Sequence, residues 1–259
     1  MQRRKFRIIM LLVIMIGLVV LPTVADAGSA DYTYYNMGAL SSSEKSATYL
    51  LSKGTVIVVY PNSTTVVKGS AAENLVKSNQ VRTIVMAGVG SSSQGTAAFA
   101  KHVAKATGVP VAGIVTGYGD GSIFTEGPQG YFIGRSSNIA GKYYTEPASA
   151  KLAALYVGGA RPQKLIGHSK GNMDIANALF KLNNEGRRSM YQGVRFITFG
   201  CGVNVPAGVG TLQQYLGSLD SLGIANTVSY KNLTWVYGKY HTTNPTYWAT
   251  YMPIENYVR

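Results

Sequence analysis

The sequence predicts an α/β fold: a mostly parallel sheet with helices on both faces and a β-hairpin near the N-terminal end. Three observations predict it. Residues 81–87, 109–115 and 194–199 are predominantly apolar rather than alternating, the mark of strands covered on both faces. These runs alternate with stretches of helical periodicity at 95–107, Pro147–Val157 and 171–182, the rhythm of a parallel sheet with crossover helices. At 259 residues, 46% hydrophobic and only 14% charged, the chain can bury one large core and is too apolar for a disordered protein or long coiled coil.

The elements follow in order. Residues 1–27 have the layout of a secretory signal peptide, with Arg3, Arg4, Lys5 and Arg7 ahead of an apolar run at 8–21, then Pro22 and the small-residue stretch Ala25-Asp26-Ala27. The 14-residue run makes about 21 Å of helix, whereas a bilayer core of about 30 Å needs about 20 residues. Cleavage near Ala27 and a secreted or cell-envelope location are therefore expected, with a single domain over 28–259. Residues 28–53, rich in Ser, Thr, Tyr and Ala, read as a surface arm with a short helical pattern at 44–51. The β-branched run at 55–60, closed by Pro61-Asn62-Ser63 and echoed at 64–68, reads as a hairpin. Residues 117–146, with seven glycines, are too long for an ordinary connection and read as a lid or binding wall. A strand end at 164–167 precedes the helix at 171–182, and 233–237 is the last strand.

Composition narrows the function. One cysteine excludes an intramolecular disulfide framework and a zinc site built mainly of thiolates, and three histidines argue against a histidine-rich metal site, so no metal or other cofactor is expected. The formal net charge is +13, and removing the leader leaves a clear basic surplus. Its cations are scattered, with no run longer than Arg187-Arg188, which fits a diffuse positive surface rather than a nucleic-acid groove. An anionic membrane surface or envelope polymer is the matching partner, and a charge that merely keeps an exported protein soluble is the plainer alternative.

Gly167-His168-Ser169-Lys170-Gly171 stands between a strand and a helix and matches G-x-S-x-G in its required setting. Ser169 is the expected nucleophile. The two glycines fit a turn so sharp that side chains there would collide with the neighbouring strand and helix, and the helix that follows aims its positive end at developing negative charge. A serine hydroxyl needs a base. His102 falls within a helix ahead of the nucleophile and His168 is fixed beside it, which leaves His241, in the loop after the last strand. The base in turn needs an acid, which in such sites lies between nucleophile and histidine in the chain. Asp174 and Glu185 belong to the helix behind the nucleophile, and Glu255 follows the histidine, so Asp220 is the choice, with a helix cap as its competing role. The oxyanion donors expected are the backbone amides of Lys170 and of Val89 or Gly90, in the loop after the strand at 81–87. The Lys170 ammonium either orients an anionic substrate group or simply faces solvent. Cys201 reads as buried packing.

With strand, elbow and late histidine in register, residues 81–245 resemble the α/β-hydrolase superfamily, and Gly-His-Ser-Lys-Gly-Asn looks like the elbow of its bacterial lipase-like members. The N-terminal hairpin and the lysine after the serine depart from the common pattern. The resemblance implies a serine hydrolase of carboxylic esters or thioesters working through an acyl-enzyme on a small-molecule or lipid ester. A serine peptidase shares the same triad. A non-catalytic α/β-hydrolase-like protein binding anionic lipid or an envelope polymer is the alternative from another class.

Overall fold

The computed structural model describes residues 29–117 and 129–259, so the expected signal peptide and residues 118–128 of the expected lid lie outside the described residues. Strands β1 (Val56–Val59), β2 (Val66–Lys68), β3 (Thr83–Met86), β4 (Val111–Ile114), β5 (Lys164–His168), β6 (Arg195–Phe199), β7 (Thr211–Gly217) and β8 (Leu233–Val236) form one sheet in the order β2-β1-β4-β3-β5-β6-β7-β8. β1 runs antiparallel to both neighbours, pairing Ile57 with Lys68 and Val56 with Ile114. All pairings from β4 to β8 are parallel. The α/β class, the mostly parallel sheet and the N-terminal hairpin are as the sequence predicts.

The helices are α1 (Ser29–Tyr34), α2 (Ser42–Ala47), α3 (Ser70–Lys77), α4 (Ser93–Thr107), α5 (Arg135–Ala140), α6 (Pro147–Val157), α7 (Lys170–Asn184) and α8 (Ser221–Asn226). Strict alternation along the buried strands divides the core into two layers. Ile84, Met86, Leu165 and Phe196 face one layer with α3, α6 and α7. Val85, Ile166 and Ile197 face the other, against α4, the N-terminal segment and the C-terminal residues Met252, Ile254 and Val258. Strands buried on both faces have few polar positions to alternate, which is why they read as largely apolar runs.

Two elements differ from the expectation. The segment at 28–53 is not a surface arm: Tyr35, Met37 and Leu40 are core residues of the second layer. Strand β7 has no apolar signature because Gln213 and Gln214 lie within it. Gln214 is nevertheless fully buried, its Oε1 accepting from the Val203 amide at 2.7 Å and its Nε2 donating to the Lys231 carbonyl at 2.7 Å. A buried amide with both ends bonded escapes the usual desolvation penalty, but its partners are visible only in three dimensions.

The crossovers position the site. From β3 the chain passes through α4 to β4, on one side, then returns to β5 on the other side of β3. Between the carboxyl ends of β3 and β5 the winding reverses, and in open α/β sheets this crevice is where ligands bind.

Candidate active site at the strand ends

Ser169 occupies this crevice, at the end of β5 and immediately before α7. Its backbone angles are φ 54° and ψ −123°, a region non-glycine residues adopt only at a cost of about 1–3 kcal/mol. The turn is over-determined by bonds on both sides: the Ser169 amide donates to the Phe199 carbonyl at 2.9 Å, and its carbonyl accepts from the Asn172 amide at 3.0 Å. The flanking glycines are required sterically. A Cβ on Gly171 would lie 2.1 Å from the Met86 carbonyl oxygen of β3, and one on Gly167 2.8 Å from the Asn172 amide nitrogen of α7. Ser169 keeps only 5% of its surface open.

Asp220 and His241 meet at the same rim, in the connections that follow β7 and β8. The His241 Nδ1 lies 2.9 and 2.8 Å from the two oxygens of the fully buried Asp220 carboxylate. Asp220 also caps α8, accepting the Gly223 amide at 2.6 Å, so the competing role expected for it is filled by the same carboxylate. A carboxylate only accepts, so Nδ1 carries the ring proton and Nε2 is left as a lone-pair acceptor. That Nε2 is buried and has no hydrogen-bond partner among the described residues. The structure thus joins Asp220 to His241 directly, while Ser169 and His241 share a rim without a hydrogen bond between them. Gly200, at φ 79°, makes room for the imidazole: a Cβ there would sit 2.9 Å from His241 Cε1. Tyr34 stands edge-on to the His241 ring, with centroids 5.7 Å apart.

Sequence reasoning missed the groups that tie these loops together. The Tyr35 hydroxyl accepts from the Gly88 amide at 2.7 Å and from Ser91 Oγ at 3.3 Å, and it lies 2.9 Å from His168 Nδ1. His168 Nε2 is 2.7 Å from the His241 carbonyl. Burial, and then the neighbouring His241, push the His168 pKa down to about 3, so the ring is neutral. The run Tyr32-Thr33-Tyr34-Tyr35 carries no periodic signal that would have exposed this role. Gly88 also belongs to the site by shape, since a Cβ there would come within 3.1 Å of the Ser169 Cβ. With its amide held by Tyr35, Gly88 itself is spoken for as a donor.

The Lys170 side chain follows neither expected course. Its ammonium is buried, 2.6 Å from Asp174 Oδ2 and 3.3 Å from Glu146 Oε1, and Lys53 lies 3.4 Å from the same Glu146 oxygen. Tyr144 donates to the other Asp174 oxygen at 3.1 Å. Burial pushes the Asp174 carboxyl up, and the Lys170 cation opposes it. The lysine after Ser169 is therefore an anchor between α7 and the end of the 117–146 segment, and Asp174 is its counter-ion. Glu146 also caps α6 through the Ala148 amide at 2.6 Å. The described part of that segment lies over α7 and the loop after β6, with Asn138 exchanging two hydrogen bonds with the Asn204 backbone.

Cys201 is buried, as the sequence suggests; its thiol donates to the Ser169 carbonyl at 3.2 Å, and burial pushes its pKa up to about 12. His102 bonds Glu255 at 3.1 Å on the α4 surface. Lys170 contributes its backbone amide at the first position of α7, the place from which it was expected to act on an oxyanion. No model of a known protein family matches the chain, and no curated protein matches it in sequence.

Proposed function

We propose that this protein is a secreted serine hydrolase of carboxylic esters or thioesters, built on an α/β-hydrolase architecture, with Ser169, His241 and Asp220 as its triad. The observation that carries this reading is the strained backbone of Ser169 at the winding reversal, on the same rim as a preformed Asp220–His241 pair. Strain held in place by surrounding bonds favours a functional reason for the conformation.

The chemistry follows from the groups present. Ser169 Oγ attacks the acyl carbon while His241 Nε2 takes its proton, and Asp220 stabilises the resulting imidazolium. The tetrahedral oxygen is received by the Lys170 amide at the positive end of α7 and by an amide of Val89 or Gly90. Collapse expels the alcohol or thiol, protonated by His241, and leaves an acyl-serine. Water activated by the same imidazole then releases the acid. No cofactor is called upon. Closing the Ser169–His241 hydrogen bond belongs to substrate binding, when such contacts tighten.

The surface beside the histidine loop supports a substrate presented at an anionic lipid surface. Tyr237 is 92% exposed and Trp248 80% exposed, with Tyr240 and Tyr247 half exposed. Lys231 and Lys239 lie in the same stretch, and residues 221–254 contain no carboxylate. Amphipathic rings and cations without acids suit a headgroup layer. Flotation with phosphatidylglycerol vesicles, weakened by salt and by Trp248→Ala, is the expected outcome; equal binding to neutral vesicles would remove the electrostatic part of the proposal.

A fluorophosphonate probe tests the enzymatic reading. Wild type should be labelled and Ser169→Ala should not. One observation favours the non-catalytic alternative: the absent Ser169–His241 bond. Absence of labelling and of ester turnover in folded wild-type protein would decide for that alternative.

A further inference from the structure

We propose that Tyr35 and His168 are positioning residues which hold the oxyanion loop, the nucleophile turn and the His241 loop in one register, a role that rests on the hydrolase reading. The two side chains touch all three segments. Tyr35 bonds Gly88, next to Val89; His168 adjoins Ser169 in the chain; and its far nitrogen reaches the His241 backbone. All these side chains are buried except at the His241 loop, so the bonds act where water competes little.

The protons fit in one arrangement. Gly88 N–H and Ser91 Oγ–H fill the two acceptor positions of the Tyr35 oxygen, so its own proton points to His168 Nδ1. Nδ1 must then be bare and the ring proton sits on Nε2, where the His241 carbonyl accepts it. A protonated His168 would set two hydrogens against each other between Nδ1 and Tyr35. The low pKa of His168 agrees with this arrangement. The same N-terminal segment grips the histidine loop from behind: the Tyr34 carbonyl accepts from the Thr243 amide at 3.1 Å, and the Tyr32 carbonyl from Asn244 Nδ2 at 2.7 Å. Tyr35 thus couples two loops that approach the nucleophile from opposite sides. A packing role alone would need the ring but not the hydroxyl.

The experiment compares full-length mature protein with Tyr35→Phe, which keeps the ring. Tyr35→Phe is expected to lower kcat on a short p-nitrophenyl ester about 10- to 100-fold, with KM within about threefold, as misplacement of catalytic groups does. Its rate of fluorophosphonate labelling should fall in parallel, at temperatures where circular dichroism shows the variant folded. Unchanged kcat and labelling would overturn the proposal. Nitrogen-detected imidazole spectra of the wild type supply a second readout that needs neither a variant nor activity. They should show His168 neutral and protonated on Nε2 from about pH 5 to about pH 8. A charged His168, or the Nδ1–H tautomer, would overturn the proposal. If the wild type neither turns over esters nor labels, the hydrolase reading fails and the register role falls with it, while the spectra still report whether the hydrogen-bond chain exists.

Discussion

Replacing Asp220 by Asn separates catalysis from stability, because Oδ1 caps α8 and also lies 2.9 Å from His241 Nδ1, whereas Oδ2, at 2.8 Å, faces only the histidine. The Gly223 amide, 2.6 Å from Oδ1, selects an acceptor, so the Asn carbonyl oxygen takes that place and the cap survives. The amide NH2 then faces His241 Nδ1, which is 2.8 Å from Oδ2 in the wild type. An NH2 donor at this shorter contact opposes a proton on Nδ1 and leaves only the shared carbonyl oxygen, 2.9 Å away, to hold it, which favours moving the ring proton to Nε2 and removing the lone pair that should accept the serine proton. In stability, a charge-assisted bond becomes a neutral one at a cost of about 1 kcal/mol, a fall in melting temperature of about 2–4 °C. In rate, the wrong tautomer costs about 10⁴-fold in kcat. Asp220→Ala should lose a similar factor in rate but melt lower still, since it also removes the cap and leaves the Gly223 N–H without its acceptor, for a total of about 3 kcal/mol. Ester hydrolysis at saturating substrate and thermal melts measure both arms. Turnover by Asp220→Asn within tenfold of wild type would refute the assignment of Asp220 as the orienting acid.

Other residues give independent outcomes. Ser169→Gly and Ser169→Ala should both abolish fluorophosphonate labelling, but glycine tolerates φ 54° and should be the more stable by about 1 kcal/mol; equal melting temperatures would show that the turn stores no strain. Lys170→Met leaves the buried Asp174 and Glu146 without their nearer cation and should destabilise the fold by about 3–5 kcal/mol, read as a lower denaturant midpoint. Although burial raises it, bonds from His102 and Tyr251 hold the Glu255 pKa down at about 2. A depressed carboxylate contributes stability above its unfolded value and loses it as pH falls toward the folded one. Glu255→Gln should therefore melt below wild type at neutral pH, and the two curves should converge as the pH approaches about 2; a constant gap would contradict the linkage.

Much of the architecture, and the Asp220–His241 pairing, could be read from residue order. The elbow is legible because strand, sharp turn and helix are consecutive, so Gly167, Ser169 and Gly171 disclose their geometry locally. The acid and base were reached by elimination among very few candidates, and the direct Asp220–His241 contact agrees with that choice. The N-terminal segment was misread because its buried positions, Tyr35, Met37 and Leu40, follow no helix or strand period over a useful length. The Lys170 side chain was misread because a lysine is usually solvated, and its two carboxylate partners come from a different turn of its own helix and from a distant loop.

By itself the sequence determined which segments are buried on both faces, and hence a mostly parallel sheet, together with the sharp turn that carries Ser169. Only the tertiary structure decided how Tyr35, His168, Gly88 and His241 share protons, and which cation is buried against which acid. Local steric and periodic constraints act over a few neighbouring residues and are written in their order. Hydrogen bonds and ion pairs between residues far apart in the chain, such as Tyr35 with His168, arise only once the fold brings them within about 3 Å.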